Sequence, residues 1–374
     1  MLRHRGLRGS AELGETFGVG EPHWLGGGAV VIGHSLLGPK VIMLLTVVLL
    51  IGSAAVIYLA CEAFVNGVEW AGHRLSLGQT ATGTILAAFG TALPESIVTL
   101  VATAFGKTDA QRELGVGAAL GGPLALATVA YGVVGLTLLA NRHRLRRGAK
   151  PIVEVDGRRL SHDQLWFFVI FVLKIGLGLV VFAFKPWLGV LFLLAYAVYV
   201  WTELRGETEP DEGEREPLKL RPRDPEPPLA WALVQTGIAL TVIFLASRLF
   251  VAQLVRLGPW TGMSPQLTAL LLSPIATELP ETMNALIWVR QGKERLALAN
   301  ISGAMMIQAT VPTAFGLFFT PWLLGRELQV AALVTMVAVA VLYLMFRSGA
   351  VTGRKLASIA LLYAVFGGAI LAIG

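Results

Sequence analysis

The sequence predicts an all-α integral membrane protein of ten transmembrane helices, arranged as two inverted five-helix repeats. Three observations predict it. The 374 residues are 55% hydrophobic and 14% charged, with a mean hydropathy of +0.68. Soluble domains are about one quarter charged, and no aqueous core absorbs this much apolar surface. An acidic, Pro-rich stretch splits the apolar segments five and five. Each half also carries a related string, GTALPES at 90–96 and ATELPET at 276–282.

The elements follow in chain order. Residues 1–41 are polar and Gly-rich and predict a disordered N-terminal segment. The apolar patch at 29–33 is too short for a signal-peptide core, and Met43 opens the first long apolar run, so Met1 and Met43 are both possible starts. Apolar segments of the roughly 20 residues that cross a bilayer core lie at 42–66, 79–105, 114–140, 165–184 and 187–203. After a break they resume at 230–256, 265–289, 296–319, 328–346 and 355–373. The break, RGETEPDEGEREPLKLRPRDPEPP, is too acidic and Pro-rich to span and predicts a flexible linker over 204–228. The expected domains are therefore 42–203 and 229–374, one five-helix repeat each. An odd helix count inverts the second half relative to the first, a transporter signature with the binding site at the midplane.

Charge orients the chain. With the N-terminus outside, the inner loops hold nineteen Lys and Arg and the outer segments nine, as the positive-inside rule requires. Both termini then lie outside a cell membrane and the linker is cytoplasmic. The net charge of +6 does not indicate nucleic acid, because its residues sit in short loops between apolar runs. The lone Cys61 excludes an intramolecular disulfide and is expected to be a small packing residue. Trp70, Trp166, Trp187, Trp260 and Trp322 fall near segment ends, as an interfacial belt would.

An offset of 186 residues places Glu95 on Glu281. The same offset matches Thr91 to Thr277, Leu93 to Leu279, Pro94 to Pro280, Leu100 to Leu286, and Gly106-Lys107 to Gly292-Lys293. A proline inside a helix leaves the carbonyl four residues back without a donor, so Pro94 frees Gly90 and Pro280 frees Ala276. Thr91 and Thr277 precede their Glu by four residues and share its helical face. Each half thus offers a carboxylate, a hydroxyl and loosened carbonyls. Together they form a hard-oxygen cage with two formal charges, suited to Ca²⁺. An acid at mid-membrane costs about 2.5–3.5 kcal/mol, so two related ones point to function more than to kinked helices with snorkelling acids.

GTALPES and ATELPET resemble the two repeats of the cation/Ca²⁺ exchanger superfamily, in its prokaryotic-type sodium/calcium exchanger branch. There the motif is close to G-T-S-L-P-E and precedes a helix bearing G-N-x-x-G-S-N-x-x-N. The approach SLGQTATGTILAAFGTALPE (76–95) and the hairpin-like PIVEVDGRRLSHDQ (151–164) are also family-like. The resemblance implies a secondary cation antiporter in which Glu95 and Glu281 are the principal metal ligands and Thr91 and Thr277 the secondary ones. It implies Ca²⁺ and Na⁺ or H⁺ as transported ions, no other cofactor, and a monomer as sufficient.

The chain departs from that pattern. Ala92 and Glu278 stand at the motif's serine positions. In LALANISGAMMIQ, Asn300 is kept, Ala304 and Met305 replace Ser and Asn, and Gln308 holds the last polar position. In LGVGAALGGPLAL, Ala118, Gly122, Pro123 and Leu126 replace every polar position, and Gly106 to Gly121 is four residues longer than Gly292 to Gly303. The first repeat has lost neutral oxygens for Na⁺ and the second has gained a carboxylate. Glu278, Gln308 and Asn300 are therefore further cation or proton candidates, although Glu278 could equally be a solvated or headgroup-facing acid. Two carboxylates three residues apart do not easily both ionise, so a proton-coupled or Na⁺/H⁺-flexible cation antiporter is one alternative. A transport-inactive sensor or scaffold is the other alternative. No HExxH, GxSxG or Asp pair supports an enzyme.

Two further features stand out. Glu62 plus the same offset is Arg248, which invites a salt bridge between the first and sixth segments unless each faces water. Lys174 lies mid-segment and must snorkel or find an acid.

Overall fold

The computed structural model describes residues 39–76, 88–106, 109–142, 152–154, 157–205, 216–261, 270–271, 274 and 277–373. Helix α1 is Pro39–Arg74 and α2 is Ala88–Ala104. Helix α3, Asp109–Ala125, continues through a π turn, Leu126–Ala130, into α4, Tyr131–Ala140. Strand β1, Ile152–Glu154, precedes α5, Gly157–Gly178; a 3₁₀ turn, Lys185–Leu188, leads into α6, Gly189–Arg205. The second half holds α7, Leu229–Thr261; α8, Leu279–Arg290; α9, Glu294–Phe319; α10, Arg326–Arg347; β2, Ala350–Thr352; α11, Gly353–Ile359; and α12, Leu361–Ile373.

The protein is predominantly α-helical. Among the described residues, eight helices are long and apolar enough to cross a membrane. They fall on eight of the ten expected segments; the other two, 79–105 and 265–289, are described only in part, as α2 and α8. The expected disordered segment lies almost wholly outside the described residues. The all-α expectation needs one amendment. The stretch 151–164 closes no local hairpin, because β1 pairs antiparallel with the distant β2, Val153 opposite Val351, and α5 already starts at Gly157.

Helix α9 is the central post, packed against α2, α3, α5, α6 and α8. Its run of Ala, Gly, Ser and Thr allows close approach on every side, and nearly all of its residues are buried. At the periphery, α1, α6, α7 and α12 expose Leu59, Leu191, Leu245 and Leu371, the surface that hydrocarbon rather than water would cover.

The linker is not flexible throughout. Residues 216–228 are docked on α1 and α7. Leu218 is buried beside Trp70, Ala71 and Ala232. Asn66 donates to the carbonyls of Glu216 (3.2 Å) and Pro217 (3.3 Å) and accepts from the Lys219 N–H (3.0 Å) and from Gln235 Nε2 (2.8 Å). Arg74 pairs with Glu226 at 2.6 Å. Composition hid this, because the strap is held largely through its backbone groups and one leucine. Residues 206–215 lie outside the described residues.

Two other expectations change here. Trp70 and Trp322 are buried, with indole N–H groups bonded to the carbonyls of Glu216 and Lys174, so they pack the interior rather than form a belt. Glu62 pairs with Lys219 at 3.4 Å, while Arg248 is exposed over the Phe244 ring; the proposed Glu62–Arg248 bridge is replaced by a link to the strap.

Candidate cation site

The two motifs share spacing but not backbone. Helix α2 runs unbroken through Pro94, which leaves the Gly90 carbonyl without its helical donor. In the second motif the helix breaks. Glu278 is a bend and the N-cap of α8, and Pro280 occupies the first turn, where a missing N–H costs nothing. The kink expected at Pro280 is thus a helix start, with Glu281 in the first turn, where the helix dipole favours an acid. Ala276 lies outside the described residues.

The structure brings three carboxylates together. Glu95, Glu278 and Glu281 are all buried; the Glu95 carboxyl abuts that of Glu278, and both lie in the field of Glu281. Glu278 accepts from Gln308 Nε2 at 2.7 Å and from the Thr277 hydroxyl at 3.0 Å. It is neither solvated nor turned to headgroups. Thr277, expected beside Glu281, serves its neighbour instead, whereas Thr91 of the other half is turned toward Glu281. All four carboxylate oxygens of Glu95 and Glu281 are buried without a hydrogen-bond partner among the described residues. Asn300 is buried with its amide likewise unpartnered. It stands eight residues before Gln308 on α9, about 12 Å along the axis; the Asn284 amide of α8 is also buried without a partner among the described residues.

Gly122 makes room for this cluster. A Cβ placed on it would fall 2.7 Å from Glu95 Cδ and closer still to both oxygens. The residue read as a lost oxygen donor is the floor of the Glu95 pocket. Among the described residues no three acid, imidazole or thiol groups close on one metal position. The donor set is carboxylate, hydroxyl and carbonyl oxygen, which fits a hard cation rather than a soft one.

Lys174 neither snorkels nor forms an ion pair among the described residues. It is fully buried, and its ammonium donates to the carbonyls of Ala119 (2.9 Å) and Gln308 (3.4 Å). The rings of Phe171 and Trp322 lie 5.1 and 6.0 Å from it. The acid whose field it occupies is Glu95.

Sequence reasoning missed a second polar group: Tyr131 and Ser302 share a hydrogen bond of 2.9 Å, and Gln164 Nε2 donates to Tyr131 at 2.9 Å. Single polar residues on three different helices carry no spacing signal. Cys61 is buried with its thiol 3.9 Å from the Pro280 carbonyl, the packing role expected.

Fold and interior define a class, a polytopic α-helical membrane protein with ionisable groups at its centre. The chain belongs to the sodium/calcium exchanger protein family, whose profile matches residues 45–205 and 231–372. It is 28% identical over 290 residues to inner membrane protein YrbG of Escherichia coli K12, covering 75% of this chain and 81% of that one. It is 27% identical over 283 residues to the putative antiporter CaxA of Alkalimonas amylolytica, covering 74% and 81%. Its fold matches the sodium-calcium exchanger NCX_Mj with a TM-score of 0.67 at 20% identity, over 86% of this chain and 97% of that one.

Proposed function

We propose that the protein is a secondary active antiporter that moves Ca²⁺, or a divalent cation of similar hardness, against Na⁺ or H⁺. In this reading ten transmembrane helices form two inverted repeats, 42–203 and 229–374, joined by the cytoplasmic linker 204–228, with both termini outside. The cation site lies at the midplane between the repeats. Glu95 and Glu281 are its metal ligands, Thr91, Thr277 and the Gly90 carbonyl supply neutral oxygens, and Glu278, Gln308 and Asn300 tune it. Inverted halves can exchange which side is open around a fixed site, which is alternating access.

One observation carries this reading: acids from both halves converge in the interior, and the oxygens of Glu95 and Glu281 have no hydrogen-bond partner there among the described residues. Leaving such groups unsatisfied is costly, and a transported cation or proton would satisfy them. A specific feature favours H⁺ over Na⁺ coupling. Where the family motif offers serine, the chain offers a second acid, Glu278, against Glu95, and Gly122 brings no oxygen.

Reconstituted protein should accumulate Ca²⁺ in vesicles under an imposed Na⁺ or pH gradient. Replacing either charged ligand, Glu95→Gln or Glu281→Gln, removes about 3 kcal/mol of charge-assisted binding, roughly 100-fold in flux, with the size-exclusion profile unchanged. A wild-type rate in Glu95→Gln would defeat the proposal. Ca²⁺ binding without flux would turn the reading to a transport-inactive sensor.

A further inference from the structure

The carbonyls that hold Lys174 are not ordinary helix carbonyls. Pro123 lies inside α3 and Pro312 inside α9. Each removes the N–H that would have bonded the carbonyl four residues back. For Pro123 that residue is Ala119, and for Pro312 it is Gln308. These are the two carbonyls to which Lys174 Nζ donates, one from each half of the chain. Proline-freed carbonyls inside an apolar interior need a donor or a cation, and here a tethered ammonium takes the place. Two aromatic faces suit the same charge. The Trp322 indole N–H, bonded to the Lys174 carbonyl at 3.0 Å, fixes the lysine backbone behind it. Gln308 couples the niche to the acids, since its carbonyl receives Lys174 while its side chain donates to Glu278.

We propose that Lys174 is a resident monovalent cation of the site. Its ammonium fills a carbonyl niche built by Pro123 and Pro312 and supplies one of the positive charges that Glu95, Glu278 and Glu281 require. The inference rests on the exchanger reading and sets its stoichiometry. Three carboxylates and one fixed ammonium leave two negative charges, which one divalent or two monovalent cations balance. Exchange is then electroneutral, and one fewer monovalent ion is carried than an all-carboxylate site would need.

The test uses the full chain. In proteoliposomes with a fixed Na⁺ or pH gradient, equilibrium Ca²⁺ accumulation by wild type should not respond to a membrane potential set with K⁺ and valinomycin. In Lys174→Met it should respond as one moved charge, about tenfold for each ~59 mV. Lys174→Arg, which keeps the charge, should behave like wild type at a lower rate. If Lys174→Met carries no flux, Na⁺ or H⁺ displacement of Ca²⁺ from purified protein decides. The slope of log apparent Kd against log ion concentration should be about two in wild type and about three in the variant. Equal slopes, or a wild type that itself moves one charge, would overturn the inference. Absence of both Ca²⁺ flux and Ca²⁺ binding in wild type would instead defeat the exchanger reading.

Discussion

Glu95 keeps its position only because residue 122 has no side chain. A methyl group there meets a carboxylate held inside a packed interior, and overpacking of this kind costs about 1–3 kcal/mol. Gly122→Ala should therefore move Glu95 and lower Ca²⁺ flux by about five- to 100-fold, since 1.4 kcal/mol is one decade. Gly117→Ala is the control. Its added Cβ would meet only Leu328 Cδ2, at 4.0 Å, and alanine gains about 1 kcal/mol over glycine inside a helix. If both variants transport equally, the pocket reading of Gly122 is wrong. The residue type was legible in the sequence and its purpose was not. Pattern matching records which donor is missing, whereas space belongs to the fold. The register of 186 carried past the motif would have helped, because it pairs Gly122 with Gln308. Helices α3 and α9 begin at 109 and 294, close to that offset, so the extra helical turn suggested by the glycine spacing is not needed.

Elements are joined at the turn between α8 and α9. Gly292 adopts φ +82°, which L side chains rarely take, and the tight turn brings Lys293 to Glu69 of α1 at 2.7 Å. The buried Trp288 indole N–H donates to the other Glu69 oxygen at 3.1 Å. Glu69 is 8% exposed and Lys293 24%, so this pair is screened less than a surface one. Lys293→Met should take the ammonium away from the buried acid and cost about 1–3 kcal/mol, read as a lower melting temperature in detergent. Glu69→Gln in the same background should recover part of that loss, and strict additivity in the double-mutant cycle would show that the two do not interact. The sequence places Glu62 and Glu69 seven residues apart, hence on nearly one helical face. It could not name their partners, because one lies in the strap and the other more than two hundred residues along the chain.

At the scale of the whole molecule, hydropathy located the membrane-length segments, since each is a local run that length and composition define. What joins the halves was illegible, because a Pro-rich acidic string looks alike whether free or docked. In the structure the strap fastens α1 to α7 through Asn66, whose amide satisfies two carbonyls, one backbone N–H and the Gln235 amide. Gln235 in turn donates to the Ala63 carbonyl and accepts from the Leu220 N–H. Leu218 seals the cluster, and burying such a side chain is worth about 1.5–3 kcal/mol. These peripheral helices each belong to a different half, so the strap adds a covalent and packed link at the periphery to the contacts that α9 makes with the first half. Leu218→Asp places a charge among Trp70, Ala71 and Ala232, and Asn66→Leu removes the side chain that serves the Pro217 carbonyl and the Lys219 N–H. Either variant should release residues 216–228, seen as faster protease cleavage within 206–228 and a lower melting temperature. Ca²⁺ binding should persist, because neither residue touches the acids. Unchanged cleavage in both variants would mean that the strap is held by the flanking helices alone and contributes no clamp of its own.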